Sequence, residues 1–275
     1  MLAELSLELC AQIQRAATIL STAPRVCILT GAGVSAESGI PTFRDKQSGL
    51  WAHYNAEDLA SVDGFARAPE LVWSWYQWRR ELVQDKKPNP AHYALAQWQD
   101  YITLSHSAQQ LTLITQNVDD LHEQAGSTVT HLHGHLNRNR CSQCHKPYTA
   151  TAAAAHSQVD FGVDLLNCDH CGSYIRPDIV WFGEALPVDA WQTAEEAANC
   201  DVFISIGTSS MVYPAAGLAH LAQQNGATLI EINPNPTPNT IVDITLASAA
   251  GVVVPALLQS MIDSCPPSIK SLVTK

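Results

Sequence analysis

The chain has 275 residues, of which 46% are hydrophobic, and its 15 basic and 26 acidic residues give a formal net charge of −11. This length suits one large domain or two small ones, and this composition excludes a disordered chain. A net-acidic chain repels phosphate backbones, so we expect no nucleic-acid partner. No apolar run reaches about 18 residues and no basic segment precedes an apolar one at the N-terminus, which predicts a cytoplasmic protein without a membrane span.

The predicted elements alternate between helices and strands along the chain. Apolar residues at helical spacing predict helices over 4–20, 68–86, 88–98 (after a turn) and 252–262. Short, β-branched apolar runs predict strands over 26–31, 111–117, 201–207, 227–233 and 242–248. This alternation indicates an α/β fold, with an open parallel sheet and helices on both of its faces.

A cysteine-containing stretch, residues 138–176, interrupts the alternation and predicts a small inserted module. Its two C-x-x-C pairs, Cys141/Cys144 and Cys168/Cys171, are separated by 23 residues. A redox dithiol would explain one pair and leave the other without a role, whereas four thiolates from two pairs suit tetrahedral Zn²⁺. We therefore predict a closed, structural zinc site with no coordination position left for catalysis.

A glycine-rich loop, GAGVSAESGIPTFRD (31–45), follows the first predicted strand. The spacing Gly31-x-Gly33-x-x-Ala36 fits a dinucleotide-binding turn, in which small residues let backbone N–H groups approach a pyrophosphate. A plain glycine turn would give the same match. Unlike in a dehydrogenase, no second strand with an acidic end follows about twenty residues later. The chain instead continues into a loop with Phe43 and Arg44 that could cover a ligand.

The segment TQNVDDLHEQAG (115–126) begins at the carboxyl end of a predicted strand, where open α/β sheets bind ligands. Gln116, Asn117 and Asp119 could bind an amide and sugar hydroxyls. Helix capping by Asn117 or Asp119 is the alternative.

Three histidines follow in the sequence HLHGH (131–135). The alternation in VTHLH is typical of a strand, which would place His131, His133 and His135 on one face. Such a group could bind metal, or one histidine could be a general base and the others simply solvated or hydrogen-bonded.

In their joint order these blocks closely resemble the sirtuin family, the NAD-dependent protein-lysine deacylases. RPDIVWFGE (176–184), GTSSMVYPAAGL (207–218) and INPNPTPN (232–239) extend the resemblance to about residues 26–240. It implies a Rossmann-like domain and a smaller domain made of a zinc-binding module and a helical module. It also implies that NAD is consumed: the acyl oxygen attacks the ribose as nicotinamide leaves, and free lysine and O-acyl-ADP-ribose result.

The resemblance also implies a domain division. The Rossmann-like domain would consist of residues 1–45, 89–137 and 179–275, the helical module of residues 46–88 and the zinc-binding module of residues 138–178.

The family's functional residues transfer to matching positions of this chain. His133 would be the general base, and Asn117 a catalytic residue that binds the nicotinamide amide. The other expected NAD-binding residues are Gly31, Ala32, Gly33, Ser35, Phe43, Arg44, Gln116, Asp119, Gly207, Thr208, Ser209, Asn233 and Ala250. The segment containing Val180, Phe182 and Gly183 would line the peptide channel, where the substrate would pair as an added strand.

Tyr76 and Arg79 lie three residues apart on one face of a predicted helix. From this spacing alone, a packed tyrosine and a surface arginine are the simpler interpretation. In a sirtuin, however, a Tyr-x-x-Arg pair resembles the class III members, because a guanidinium and a phenol complement the carboxylate of a succinyl, malonyl or glutaryl group. We expect both deacetylation and desuccinylation.

Two other functions compete with deacylation: mono-ADP-ribosyl transfer on the same fold, and NAD sensing by a binding module. His133 and the Tyr76/Arg79 pair favour the deacylase. The expected partners are acylated lysine side chains of proteins, with no nucleic acid or membrane, and the sequence is compatible with a monomer.

Overall fold

The computed structural model of the chain describes residues 5–42, 53–105, 107–149, 165–237 and 242–263. Its strands are β1 (Arg25–Thr30), β2 (Gln110–Thr115), β3 (Thr130–His131), β4 (Gly134–Cys141), β5 (Pro147–Tyr148), β6 (Ile175–Ile179), β7 (Val202–Ile206), β8 (Thr228–Ile232) and β9 (Ile244–Leu246). Its helices are α1 (Leu7–Thr22), α2 (Gly33–Ala36), α3 (Ala56–Leu59), α4 (Val62–Arg67), α5 (Pro69–Gln84), α6 (Pro90–Leu104), α7 (Leu121–Gln124), α8 (Val188–Ala197), α9 (Gly217–Gln224) and α10 (Ala250–Asp263).

Six parallel strands form the main sheet in the order β3-β2-β1-β7-β8-β9. This is the strand order of the Rossmann fold, and it reverses between β1 and β7. The predicted parallel α/β sheet is therefore confirmed, and the point where its order reverses is where such folds bind ligands.

The β1 strand shows how the sheet is covered on both faces. Val26 and Ile28 join the hydrophobic cluster that contains α1, α6 and α10, whereas Cys27 and Leu29 join the cluster that contains α8 and α9. Because successive side chains of a strand point to opposite faces, a strand buried on both sides is apolar throughout.

A smaller unit lies beside the sheet and has its own hydrophobic cluster. Its antiparallel strands pair in the order β5-β4-β6, and α5 contributes the buried side chains Val72, Trp73, Trp75 and Tyr76. The cluster thus joins α5 to the cysteine-containing strands, so residues from distant parts of the chain share one core.

The predicted helix that begins at Pro69 is confirmed, as are the five predicted strands of the main sheet, within one or two residues at most ends. The sequence did not single out α8 and α9, because each is short and few of its residues are fully buried. Among the described residues, no helix has the length and apolar character needed to cross a membrane. The domain boundaries given above stay a prediction.

Candidate active site

Two glycine-containing loops meet at the carboxyl ends of β1 and β7. The Gly33 N–H donates to the Gly207 carbonyl oxygen over 2.8 Å. A Cβ atom on Gly33 would lie 2.7 Å from the Gly207 Cα, and one on Gly207 would lie 2.5 Å from the Val34 nitrogen. Gly207 also has a φ of +58°, which side chains disfavour. The contact therefore requires glycine, and it occurs where the strand order reverses.

A buried polar group lies next to this contact. The Asn117 side-chain amide donates to the Ser35 hydroxyl over 3.1 Å, and this hydroxyl donates to the Asp119 carboxylate over 3.0 Å. Burial raises the pKa of Asp119, although hydrogen bonds from the Leu121 N–H and Ser35 oppose this change. The Leu121 N–H donates to the Asp119 carboxylate over 3.2 Å, in a turn just before α7, whose N-cap residue is Asp120. Neither Asn117 nor Asp119 is therefore the N-cap residue of α7, and Asn117 is hydrogen-bonded to Ser35.

Thr208, which follows β7, is hydrogen-bonded to residues that follow two other strands. Its hydroxyl accepts a hydrogen bond from the Gln116 side-chain amide over 3.0 Å, and its carbonyl oxygen accepts one from the Asn233 side-chain amide over 3.0 Å. Gln116 follows β2 and Asn233 follows β8. Gln116, Thr208 and Asn233, predicted from three separate motifs, therefore form one hydrogen-bonded group at the carboxyl ends of the strands.

His133 is oriented as a base. Its Nδ1 lies 2.9 Å from the Gln116 carbonyl oxygen, which can only accept, so Nδ1 carries the hydrogen and Nε2 keeps its lone pair. Burial lowers the pKa of His133, and the bond to Gln116 opposes this change only in part. The imidazole is therefore neutral at physiological pH and able to accept a proton at Nε2.

The prediction that three histidines share one face is wrong. His131 ends β3, and Gly134, with a φ of +79°, begins β4. The chain therefore does not continue as one strand through these residues, and the period of two is lost between them. His131 and His135 form a cluster with Glu123, whereas His133 binds Gln116.

Tyr76 and Arg79 contact each other on α5, as their spacing indicated. The Arg79 guanidinium carbon lies 5.9 Å from the centre of the Tyr76 ring and 5.1 Å from that of Trp75. The Trp181 Nε1–H donates to the Tyr76 hydroxyl over 2.8 Å. Burial raises the pKa of Tyr76 to about 12, so the hydroxyl stays protonated. Burial lowers the pKa of Arg79, and the Tyr76 phenol and the Asp119 carboxylate oppose that change.

The segment Val180–Gly183 connects the two units of the molecule through its backbone. The Val180 N–H donates to the His133 carbonyl oxygen and the Phe182 N–H to the Ala60 carbonyl oxygen, each over 2.9 Å. This segment therefore touches both the histidine stretch and the helical part of the smaller unit.

A buried ion pair fixes the same segment. Arg176 donates to Glu184 over 2.6 and 2.8 Å, and the Glu184 carboxylate accepts the Trp181 N–H over 2.8 Å. The guanidinium carbon of Arg176 lies 3.2 Å from the centre of the Trp181 ring. Burial alone would raise the pKa of Glu184, but its bonds from Arg176 and Trp181 outweigh this and lower it. The pair thus sets the position of the indole that holds Tyr76.

The four paired cysteines come together as predicted. Their sulfur atoms lie within 4.8 Å of one another, with separations of 3.4 Å between Cys141 and Cys171 and 3.7 Å between Cys144 and Cys168. A tetrahedral Zn²⁺ with Zn–S bonds of about 2.3 Å places its ligands about 3.8 Å apart. The cluster therefore fits zinc with little movement.

Two predicted cofactor residues, Phe43 and Arg44, lie outside the described residues. Ser209 lies in the loop after β7, and Ala250 is buried at the first position of α10.

The Sir2 family matches residues 31–214, about two-thirds of the chain. The chain belongs to the Sir2 family. This confirms the resemblance found in the sequence and explains the joint order of its motifs, which run through both the main sheet and the cysteine module.

Similar Sir2 proteins carry the name NAD-dependent protein deacylase. The chain is 49% identical over 240 residues to one from Mycobacterium tuberculosis, a match that covers 86% of this chain and 98% of the relative. It is 48% identical over 252 residues to one from Methylococcus capsulatus, which covers 90% of this chain and 96% of the relative.

The fold of this chain is similar to that of solved Sir2 structures. A Sir2 homolog in complex with NAD is 42% identical, has a TM-score of 0.79 and covers 94% of both chains. Sir2Af2 bound to a myristoylated histone peptide is 34% identical, has a TM-score of 0.71 and covers 92% of this chain and 97% of that one.

Four residues that contact or hold the site have no predicted role in the sequence. Arg176, Trp181 and Glu184 lie in the motif RPDIVWFGE, which the sequence does mark as part of the site. Their contacts with one another depend on the fold of this segment, which spacing does not show. Glu123 lies in TQNVDDLHEQAG and gave no signal, because its partners His131 and His135 come from other elements.

Proposed function

We propose that this Sir2-family chain is an NAD-dependent protein-lysine deacylase that removes acetyl groups and acidic acyl groups. The main support for the proposal is His133, a half-buried neutral imidazole whose Nδ1 is fixed on the Gln116 carbonyl oxygen. A base in this form can take a proton from a sugar hydroxyl without first losing one of its own.

NAD binds where the β1 and β7 loops meet. The missing side chains of Gly31 and Gly33 let the two loops approach each other closely, and the small residues of this turn leave room for a pyrophosphate near the backbone. Thr208 and Asn233 face the adenosine side, and Asn117, Asp119 and Gln116 the nicotinamide riboside, with Ser209 and Ala250 at the periphery. Phe43 and Arg44 belong to the covering loop in this proposal.

The chemistry needs position more than a strong nucleophile. Asn117, held by Ser35, orients the nicotinamide amide so that the bond to the ribose faces the acyl oxygen of the substrate. The acyl oxygen bonds to the ribose C1′ as nicotinamide leaves, and His133 Nε2 then accepts the proton of the ribose hydroxyl that attacks the acyl carbon. The bond from the acyl carbon to the lysine nitrogen breaks, the amine leaves with a proton, and one water molecule adds to the acyl carbon to give O-acyl-ADP-ribose. Such a reaction gains most from orientation and from exclusion of water until nicotinamide has left.

The acylated peptide runs along Val180, Phe182 and Gly183 as an added strand. The N–H groups of Val180 and Phe182 already donate within the chain, and that of Trp181 donates to Glu184. A peptide strand would therefore pair with carbonyl groups of this segment or with the Gly183 N–H.

The acyl chain ends between Tyr76 and Arg79. The Tyr76 hydroxyl accepts from Trp181, which turns its own hydrogen away from the indole and leaves it for an acceptor on the ligand. Together with the Arg79 guanidinium, it forms two donors for a terminal carboxylate in a buried setting, where charge-assisted hydrogen bonds are strong. The net charge of −11 does not help an acidic acyl group, so recognition depends on this local pair.

We also propose that Cys141, Cys144, Cys168 and Cys171 hold one structural Zn²⁺, which would stabilise the module and leave no open coordination position. The cytoplasmic location and the monomeric state stay predictions.

The test is a product analysis with NAD and matched acetyl-lysine and succinyl-lysine peptides. We expect nicotinamide release that depends on the acylated peptide, and mass spectra that contain free lysine peptide and O-acyl-ADP-ribose. Transfer of label from adenine-labelled NAD onto protein would instead support an ADP-ribosyltransferase. Binding of NAD without nicotinamide release would support a sensing module.

A further inference from the structure

A second cluster of metal-ligating side chains lies apart from the four cysteines. It consists of Glu123 on α7, His131 at the end of β3 and His135 in β4, and one ligand atom of each lies within 4.8 Å of the others. We propose that Glu123, His131 and His135 form a second metal site, one that takes a divalent transition-metal ion such as Zn²⁺ or Co²⁺. Two imidazoles and one carboxylate are a ligand set that these ions favour.

The distances in the cluster are close to those of a metal centre. The Glu123 Oε1 lies 2.7 Å from the His131 Nε2 and 3.9 Å from the His135 Nε2. Ligands at about 2.0–2.1 Å in a tetrahedron are about 3.3 Å apart. Shifts of about 0.6 Å, in opposite directions, would bring both pairs to this separation.

His131 already has the outer contact of a metal-bound histidine. Its Nδ1 lies 2.9 Å from the Asn117 carbonyl oxygen and so carries a hydrogen. Metal-ligating histidines commonly donate this second N–H to a backbone carbonyl, which fixes the ring and directs the other nitrogen at the ion. In the absence of metal, a proton joins the His131 Nε2 to Glu123, so an ion would take the place of that proton.

His135 needs one change of tautomer. Its Nδ1 now accepts a long hydrogen bond of 3.3 Å from the Asn137 N–H. Coordination through Nε2 moves the hydrogen to Nδ1 and breaks this bond. Asn137 is exposed, so water can satisfy its N–H at small cost.

A cavity of about 280 Å³ opens onto the cluster. It has room for water or a small anion to complete the coordination. Arg138 and Arg140 also line it, which disfavours a free cation, but Arg140 is paired with Asp178 over 3.4 Å and with Glu184 over 3.5 Å. We therefore expect a bound ion to carry hydroxide or another anionic ligand on the side that faces Arg138.

The site is separate from the proposed catalytic base. His133 lies between His131 and His135 in sequence, but its Nδ1 is bound to Gln116 and it is not part of the metal-ligating group. The proposal therefore goes beyond deacylation and does not depend on it.

The experiment adds Co²⁺ to zinc-loaded protein and measures both metals by equilibrium dialysis and elemental analysis. We expect about one Co²⁺ per chain in addition to one Zn²⁺, with the zinc content unchanged. In weak buffer we also expect proton release on binding, because the His131 Nε2 proton must leave. His135→Asn and Glu123→Gln should each weaken Co²⁺ binding by about 10–100-fold or more.

The matched control is His220→Asn, which removes an exposed histidine on α9 and should leave Co²⁺ uptake as in the wild type. Zinc content reports folding of each variant, and the two cluster variants keep the test valid if one of them fails to fold. Equal Co²⁺ uptake by wild type, His135→Asn and Glu123→Gln, or no uptake beyond the cysteine cluster, would overturn the proposal.

Discussion

The nucleotide end and the acyl end of the proposed active site are built in different ways. At the nucleotide end, the β1 and β7 loops touch through their backbones, and Gly33 and Gly207 leave no space for a side chain. At the acyl end, the contacts are made by side chains, with Trp181 bound to Tyr76 and Arg79 packed beside it. The first depends on the absence of side chains and the second on their identity.

This difference bears on how each end can change. A backbone contact between two loops accepts almost no substitution, which suits a ligand such as NAD that does not vary. A pocket of side chains can change its preference while the sheet stays intact. We therefore expect substitutions at the nucleotide end to lower the activity on all acylated substrates alike. Substitutions at the acyl end should lower the activity on one acyl group more than on another.

The largest effect is expected at the proposed base, His133. His133→Ala should lower turnover by about 10²–10⁴-fold for acetyl and succinyl peptides alike, because it removes the proton acceptor that both reactions need. NAD-dependent release of free lysine measures this loss. His220→Ala, a change on the surface of α9, is the control, and zinc content should be normal in both variants. Near-normal turnover in His133→Ala would contradict the assignment of the base.

The next effect concerns the backbone contact. In Gly207→Ala the new methyl group would lie 2.5 Å from the Val34 nitrogen, at a φ of +58°. We expect the free energy of unfolding to fall by about 2–4 kcal/mol and NAD affinity to fall by about tenfold or more, as measured by denaturant unfolding and NAD titration.

Gly226→Ala is the control that distinguishes the steric clash expected at position 207 from backbone strain alone. Gly226 has a φ of +86° but nothing within 4 Å of its Cβ position, so only backbone strain of about 1–2 kcal/mol is expected. If both variants lost the same stability and kept the same NAD affinity, the close approach of the loops would have no role in binding.

At the acyl end, Arg79→Met should lower kcat/KM for the succinyl peptide by about 10–150-fold, the worth of a hydrogen bond to a charged group. The acetyl peptide should change by less than about threefold, since it has no carboxylate to bind. Arg80→Met is the matched control, because Arg80 instead donates to the Leu136 carbonyl oxygen over 2.8 Å and to Asn139 over 2.7 Å. Equal losses for both acyl groups in Arg79→Met would refute the pocket.

The smallest effect is expected at the residue that positions Tyr76. Trp181→Phe keeps an aromatic ring but loses the N–H that binds the Tyr76 hydroxyl. It should lower succinyl kcat/KM by about 3–10-fold, the worth of one neutral hydrogen bond, and leave the acetyl value nearly unchanged. In the double variant with Tyr76→Phe, the second change should add little, because both act on the same contact. Fully additive losses of kcat/KM in the double variant would mean that Trp181 acts by something other than its hydrogen bond to Tyr76.

Much of the fold could be predicted from local patterns. The strand at Arg25–Thr30 is apolar because it is buried on both faces, and the helix at Pro69–Gln84 begins at a proline that suits a first helical turn. The cysteine spacing likewise indicated a tetrahedral cluster, which the sulfur distances support. In each case the signal lies within a short stretch of sequence.

The histidine stretch shows where this approach fails. An alternating pattern predicted one face for His131, His133 and His135, but Gly134 adopts a φ of +79° and ends the alternation. A Cβ on Gly134 would also collide with the Asp178 carbonyl oxygen, so the turn is set by a strand more than forty residues away. Local periodicity contains no information about that neighbour.

The sequence by itself determined the alternating helices and strands, the residue types at the strand ends and the cysteine ligand set, because each follows from short-range spacing and from which residues are apolar. Only the tertiary structure decided which side chains meet: Trp181 with Tyr76, Glu123 with His131 and His135, and Gly33 with Gly207. These pairs depend on strand order and on the path of the connections between elements. That is a long-range outcome of burying three hydrophobic clusters, one on each face of the main sheet and one in the smaller unit, and no local pattern encodes it.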